Sequence, residues 1–316
     1  MKRLFLILSR YWHYLVHFGP RLTYYYLFYP RFGGRKAIVK RHKEIKRYLK
    51  KTLGHILDKY KDIKVSSETI PADSPIWVCW LQGETEMPPI VRMCYSSILK
   101  HAGIRPVHLV TFENIDQWVK IPKTVMDSLQ MGRLSYTHFS DYLRVLLLKE
   151  HGGMWIDASV YATSEINADC GTRFYSVKQK GLSSYFVSEG KWTVGVFGCA
   201  PKCILFVCLE ELLTEYMKQC IPWVDWFLLD YMISLCVETV PDCKKLLQDI
   251  PSNCLRFYDL QSKLNCEWDE DYFRVLTEEC GLHRITYKQP YFEYCRNESV
   301  TFYGKLMKKY RESQVQ

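Results

Sequence analysis

Residues His138 to Val160 read HFSDYLRVLLLKEHGGMWIDASV. Phe139, Tyr142, Leu143, Leu146 and Leu147 recur at helical spacing, and Val145 and Leu148 fill the opposite side. A helix that is apolar nearly all round is covered on two sides. Ser135 is a fair N-cap, and Gly152 stands just past the last turn, where a left-handed residue closes a helix. MWID then reads as a buried strand with an acid at its carboxyl end, and ASVYAT as its continuation. Yet the stretch holds three charges, Asp141, Arg144 and Asp157. Asp141 and Arg144 lie three apart, so they are neighbours on one helix face. On a surface such a pair is worth under about 1 kcal/mol. Inside an apolar ring both charges lose hydration and need further partners. A polar ligand in a crevice supplies them. Ligands of open α/β sheets bind at the carboxyl ends of strands, where Asp157 is placed to meet a metal or a metal-bound phosphate.

The flanking sequence fits the same class. IWVCW (Ile76–Trp80) reads as a buried strand ending in the loop LQGE. Pro88-Pro89 opens a helix to about Lys100, and PVHLVT (Pro106–Thr111) reads as a second strand. Two short helices fit Glu113–Met131, the second starting at Pro122. Strand, helix, strand and helices in this order predict an α/β fold with parallel strands. Further along, RFYSV and VGVFGCA read as strands, and Lys202–Gln219 and Asp225–Thr239 as helices. No internal repeat is visible.

Charge divides the chain. Residues 1–64 hold 17 Lys and Arg against three acids (Glu44, Asp58, Asp62), whereas the remainder holds 26 against 31. A mildly acidic body excludes nucleic acid as its ligand, because phosphate-backbone binding needs a basic face on the folded domain. The arm mixes rings and aliphatics with arginines and then runs RKAIVKRHKEIKRYLKK. Leu4–Leu8 is too short to span a bilayer, for which about 20 apolar residues are needed, and no small-residue cleavage site follows it. The pattern predicts a helical extension lying on a membrane surface, with rings at headgroup level and cations toward anionic lipid. A basic helical hairpin packed on the body or on a partner is the other reading. All 13 cysteines lie between Cys79 and Cys295 with no CxxC pair, which predicts reduced, buried thiols and a cytoplasmic setting.

With these residues in place, the chain resembles glycosyltransferases of the family 32 type, in particular the bacterial capsular polysaccharide synthesis proteins. More distantly it is similar to the catalytic core of the clostridial glucosylating toxins. The pattern is Ser-Asp-x-x-Arg (Ser140, Asp141, Arg144), an apolar helix, Gly152-Gly153, an aromatic residue (Trp155, where Tyr is usual) and an acidic Asp-x-Asp. The last reads Asp157-Ala158-Ser159 here, with a hydroxyl in place of the second carboxylate. IWVCWLQGE, WFLLDYMISL and HRITYK extend the likeness to residues 73–304, leaving out the arm. The resemblance implies a GT-A fold, a Rossmann-like α/β domain that binds a nucleotide sugar; the shift in composition near residue 65, where SSETIPADSP reads as a linker, divides the chain into an arm of residues 1–65 and this domain over residues 66–316. It implies Asp141, Arg144 and Asp157 as catalytic residues: Asp141 on sugar or ribose hydroxyls, Arg144 on donor sugar or phosphate, Asp157 on a divalent cation. Trp80 would stack on the base, with Ser140 and Trp155 also at the substrate. Manganese or magnesium would sit on the diphosphate through Asp157 and Ser159.

Outside that motif, Asp230 lies in the apolar stretch WVDWFLLDYMISL, either as a hydrogen-bonded buried acid or as a substrate-facing base. His283, Arg284 and Lys288 form a small basic cluster: a solvated loop, or a clamp on the diphosphate, which would place His283 at the substrate. The function expected is a glycosyltransferase acting with retention. It would carry a sugar from a nucleotide-sugar donor, UDP-sugar first, to a growing capsular or other surface polysaccharide, free or lipid-linked. Its setting would be the inner face of the plasma membrane, held peripherally through the arm. The competing reading is a non-catalytic membrane-associated scaffold on a degenerate transferase fold, which Ser159 favours.

Overall fold

The computed structural model describes residues 2–28, 30–63, 68–167, 169–179, 184–219 and 221–314. Ser66 and Ser67 of the stretch SSETIPADSP, and Cys220, lie outside them. At the centre is a five-stranded sheet in the order β2-β1-β3-β6-β5. Its strands are β1 (Ile76–Cys79), β2 (Val107–Val110), β3 (Gly153–Ile156), β5 (Phe174–Ser176) and β6 (Val196–Cys199). Helix α3 (Pro89–His101) connects β1 to β2, and α4 (Lys123–Gln130) and α5 (Tyr136–His151) lead from β2 to β3. These crossovers make β1 parallel to both neighbours, in the register Ile76↔Val107 and Ile76↔Met154.

The other half corrects the expectation of parallel strands. β6 runs antiparallel to β3, and β5 antiparallel to β6. Parallel neighbours need a long crossover, usually a helix, and no helix occurs among the described residues between β3 and β6. Nor does ASVYAT continue β3. After a turn the chain forms β4 (Val160–Ala162), which leaves the main sheet and pairs antiparallel with β7 (Leu282–Arg284).

Each end of the central helix is fixed as its residues dictate. Ser135 Oγ accepts the His138 backbone N–H at 3.2 Å, and Gly152 takes φ 63° just past α5. Gly153 follows at φ 85°, against Pro75; a Cβ on it would lie 2.2 Å from the Pro75 carbonyl oxygen. That oxygen accepts the Met154 N–H at 2.8 Å, so glycine is required for β3 to dock beside β1.

Strand alternation sorts the core into two layers. Trp77, Trp155 and Phe197 face one side, with α5, α6 (Ile204–Lys218) and α7 (Leu228–Thr239). Ile76, Val78, Met154, Ile156 and Val196 face the other. There they meet α3 and a C-terminal group of α9 (Asp259–Lys263), α10 (Glu270–Glu279) and α11 (Phe302–Ser313), whereas α8 (Pro241–Gln248) belongs to the first layer. Within this group Cys254 and Cys280 form a pair with Cα atoms 5.0 Å apart, inside disulfide reach, where the composition predicted reduced thiols throughout.

The arm is helical. Helix α1 (Lys2–Thr23) bends at Gly19 (φ 75°) before Pro20, a π-helical turn spans Tyr24–Phe28, and α2 (Pro30–Asp58) bends at Gly34. Ile45, Leu49, Leu53 and Leu57 are buried in the same cluster as α6 and α7. Buried Glu44 of α2 ties the hairpin together through Arg21 of α1 (2.8 Å), and also pairs with Arg47 of its own helix (2.5 Å). His42 Nδ1 meets the Tyr231 hydroxyl at 2.6 Å, pinning α2 to α7. The outer side of α1 exposes Trp12 (68%) and Val16 (60%). Among the described residues no helix is long and apolar enough to cross a membrane.

Candidate active site

A crevice of about 560 Å³ opens at the carboxyl ends of β1 and β3. Its walls follow from the topology. The loop after β1 brings Trp80, the first turns of α5 bring Ser140, Asp141 and Arg144, and the end of β3 brings Asp157. The start of α7 contributes Asp230, and β7 with the loop beyond it contributes Arg284, Tyr287 and Lys288.

The three charges of the central stretch form one network. Arg144 Nη1 donates to Asp141 Oδ1 at 2.6 Å, and Nη2 to Asp157 Oδ1 at 3.0 Å. Both ends of the Asp141–Arg144 pair are buried, at 9% and 3% exposure, so the surface-pair account fails. Trp155 supports both partners. Its ring lies 4.7 Å from the Arg144 guanidinium, and its Nε1–H donates to Asp157 Oδ1 at 2.8 Å. The second oxygen of Asp157 accepts from Arg284 Nη1. Gly195 leaves room for that contact: a Cβ there would lie 3.0 Å from Asp157 Oδ2 and 3.1 Å from Arg284 Nη1.

Burial and charge drive the carboxyls apart. Burial pushes Asp141 up to about 6 against the opposing pull of Arg144. Burial would also raise Asp157, but Arg284, Arg144 and the Trp155 N–H outweigh it and hold this carboxyl at about 2. Burial takes Asp230 up to about 7, although Trp192 Nε1 donates to its Oδ1 at 2.8 Å. The crevice therefore holds one carboxylate that stays charged and two able to exchange a proton nearer neutral pH. Two donors, Trp80 Nε1 and Arg144 Nε, are buried without a protein acceptor. Unpaired buried donors in a crevice wall call for a partner that the protein does not provide.

The donor set does not fit the divalent cation that the resemblance implies. Both oxygens of Asp157 are engaged by N–H donors, two of them on guanidinium groups. Ser159, the other proposed ligand, offers an uncharged hydroxyl. Among the described residues no three His, Cys, Asp or Glu side chains cluster so as to hold a metal ion.

The structure brings together Trp80, Ser140, Asp141, Arg144, Trp155, Asp157, Ser159 and Asp230, all lining the crevice. Ser140 spends its hydroxyl on the Thr137 carbonyl at 2.8 Å. Trp80 meets Tyr287 edge-on at 5.5 Å. His283 is not brought in. It is fully buried on the opposite side of β7, with Nε2 3.2 Å from Thr163 Oγ1, and burial pushes its pKa down to about 4. Strand alternation puts its neighbour Arg284 in the crevice instead. Of the basic cluster, Arg284 and Lys288 line the crevice and His283 does not; only the register of a three-residue strand selects between His283 and Arg284.

A model of the capsular polysaccharide synthesis protein family matches residues 28–306, which takes in α2 as well as the body. No match is found among curated proteins. Of solved structures, the PaToxG glycosyltransferase superposes with a TM-score of 0.41 at 13% identity, over 68% of this chain and 82% of that one. The apo structure of WbbM, a bifunctional glycosyltransferase, gives 0.43 at 11% identity, over 79% of this chain and 51% of that one. This chain thus spans about half of WbbM. Both likenesses are too distant to carry more than themselves.

Proposed function

The chain belongs to the capsular polysaccharide synthesis protein family, and from that premise we propose that it is a glycosyltransferase using a nucleotide-sugar donor, UDP-sugar first. One observation carries the reading: Asp141, Arg144 and Asp157 converge with Trp80 in a single crevice at the carboxyl ends of parallel strands, where sheets of this class receive nucleotides. Trp80 and Tyr287 give flat apolar surface for a base. The guanidiniums face the anionic end of the donor, where charge builds as the bond to the sugar breaks. Asp141 lies beside them to accept from sugar hydroxyls. Asp230, at about 7, is the group placed to take or give a proton near neutral pH. Retention of configuration is part of the proposal through the resemblance alone.

The acceptor in this reading is a growing capsular or other surface glycan, free or lipid-linked. The arm supports a location at a membrane surface. Trp12, Leu15, Val16 and Tyr24 are exposed on it, and α2 exposes Arg35, Lys36, Lys43, Lys50 and Lys51. Rings plus cations suit the interface of an anionic leaflet, and we place the protein peripherally on the inner face of the plasma membrane.

Turnover of a panel of nucleotide sugars by the purified chain, with membranes from capsule-forming cells as acceptor source, tests the reading. Nucleotide release from one donor, lost in Asp157→Asn, is expected. Donor binding without turnover, in folded protein supplied with those membranes, would leave the scaffold reading standing.

A further inference from the structure

We propose that the crevice holds the diphosphate of its donor with two guanidiniums, Arg144 and Arg284, and without a divalent cation. The inference rests on the nucleotide-sugar reading above. Its first support is the state of Asp157. Three N–H donors already occupy this carboxylate, Arg284 on Oδ2 and Arg144 and Trp155 on Oδ1, so a metal ligated here would share its one acid with two guanidinium charges. A cation placed there would face two guanidiniums in contact with the same carboxylate, with only the hydroxyl of Ser159 where a second acid would stand.

The second support is the difference between the two arginines. Arg144 is fixed: its side chain is 3% exposed, clamped between Asp141 and Asp157 and laid on the Trp155 ring. Arg284 is reachable: its side chain is 32% exposed and lines the crevice. Only its Nη1 is engaged by Asp157. A guanidinium carries five N–H donors in a planar fork, so the others remain for phosphate oxygens, which this geometry matches two at a time. The third support is Gly195. A Cβ at this position would crowd both Asp157 Oδ2 and Arg284 Nη1, at 3.0 and 3.1 Å, so the backbone here fits closely around the ion pair. In this arrangement Asp157 is a positioning residue that aims two cations into the crevice. Lys288 at the rim adds a third.

Calorimetric titration of the full chain with UDP, in EDTA and then in excess Mn²⁺, tests this. The expected result is equal affinity in the two buffers, within about threefold, and weakening by at least roughly tenfold in Arg284→Ala, a difference of about 1.4 kcal/mol. Arg284→Lys, which keeps the charge but loses the fork, should fall between them; it also serves as the readout if the alanine variant does not fold. Binding of UDP only with Mn²⁺, or unchanged binding in folded Arg284→Ala, would overturn the inference and leave the transferase reading intact. If neither UDP nor the other nucleoside diphosphates bind in either buffer, the nucleotide-sugar reading falls and takes this inference with it.

Discussion

Arg144 and Asp157, thirteen residues apart in the chain, meet at 3.0 Å across the gap between helix α5 and strand β3. The same guanidinium holds Asp141 at 2.6 Å. One cation thus joins the helix to the strand and serves two acids in a nearly dry setting. Removing it strands Asp141, while Asp157 keeps Arg284 and the Trp155 N–H. Arg144→Ala should lose about 3 kcal/mol of stability or more, the usual result of breaking a buried pair. Arg144→Lys should fold but, lacking the fork, should turn over donor roughly 100-fold more slowly. Chemical denaturation and donor turnover check the two arms. A lysine variant with full activity would show that a point charge suffices.

Trp155 acts on the same pair from below. Trp155→Phe keeps an aromatic face under Arg144 but deletes the N–H that reaches Asp157 at 2.8 Å. One lost bond to a charged acceptor is worth about 1.5–3 kcal/mol. A lower melting temperature and an Asp157 that titrates at higher pH, followed by carbonyl-labelled NMR, are expected.

Asp230 gives a pH signature of known sign. Its carboxyl is raised to about 7 in the folded chain, so folding favours the proton-bound form. The stabilising effect is complete below the ordinary carboxylate pKa and fades as pH rises through about 7. Asp230→Asn keeps an acceptor for Trp192 and carries no charge, so its gain in melting temperature over the parent should grow from pH 5 to pH 8. Asp157, held at about 2, behaves oppositely. Its contribution is present above the ordinary carboxylate pKa and disappears as pH falls toward 2, so Asp157→Asn should cost stability at pH 7 and little at pH 2. Thermal melts across this range decide both signs.

Gly153→Ala tests the junction of β1 and β3. The new methyl would meet the Pro75 carbonyl oxygen at 2.2 Å, on backbone at φ 85°. Strain and overpacking together should cost about 2 kcal/mol or more. An alanine variant as stable as the parent would mean that Pro75 and β3 part without penalty.

On the arm, a Trp12→Ser, Val16→Ser double variant changes only exposed positions. Stability should move by no more than about 0.5 kcal/mol. Sedimentation with vesicles of anionic lipid should fall clearly relative to the parent. Equal sedimentation would remove these residues from the contact and leave the basic face of α2 as the candidate.

The stretch from Ser135 to Asp157 was legible because each signal in it is local. Cap, apolar period, glycine pair and acid at a strand end all lie within a few residues of one another. The antiparallel half of the sheet was not, because β5 and β6 are three and four residues long and their direction is set by what the chain does between them. The same limit hid which members of the cluster His283, Arg284 and Lys288 face the crevice. In a three-residue strand only the register Val160↔Arg284 and Tyr161↔His283 decides which side chain enters the crevice. That register depends on a partner strand over 100 residues away. The pairing of Cys254 with Cys280 was hidden for a related reason, since sequence spacing carries no information on which loops become neighbours.

The pairing of β4 with β7 also sets an order of events during synthesis. When β3 and Asp157 leave the ribosome, the cation that closes the second face of that carboxylate has more than 120 residues still to be made. The part of the sheet built from β1, β2 and β3 can assemble early, because all three strands precede β7 in the chain. The crevice cannot be finished until β7 arrives and pairs at long range, a slow kind of contact to form. Until then the growing chain carries a half-neutralised acid at its centre, so the crevice becomes competent to bind only after β7 has been made.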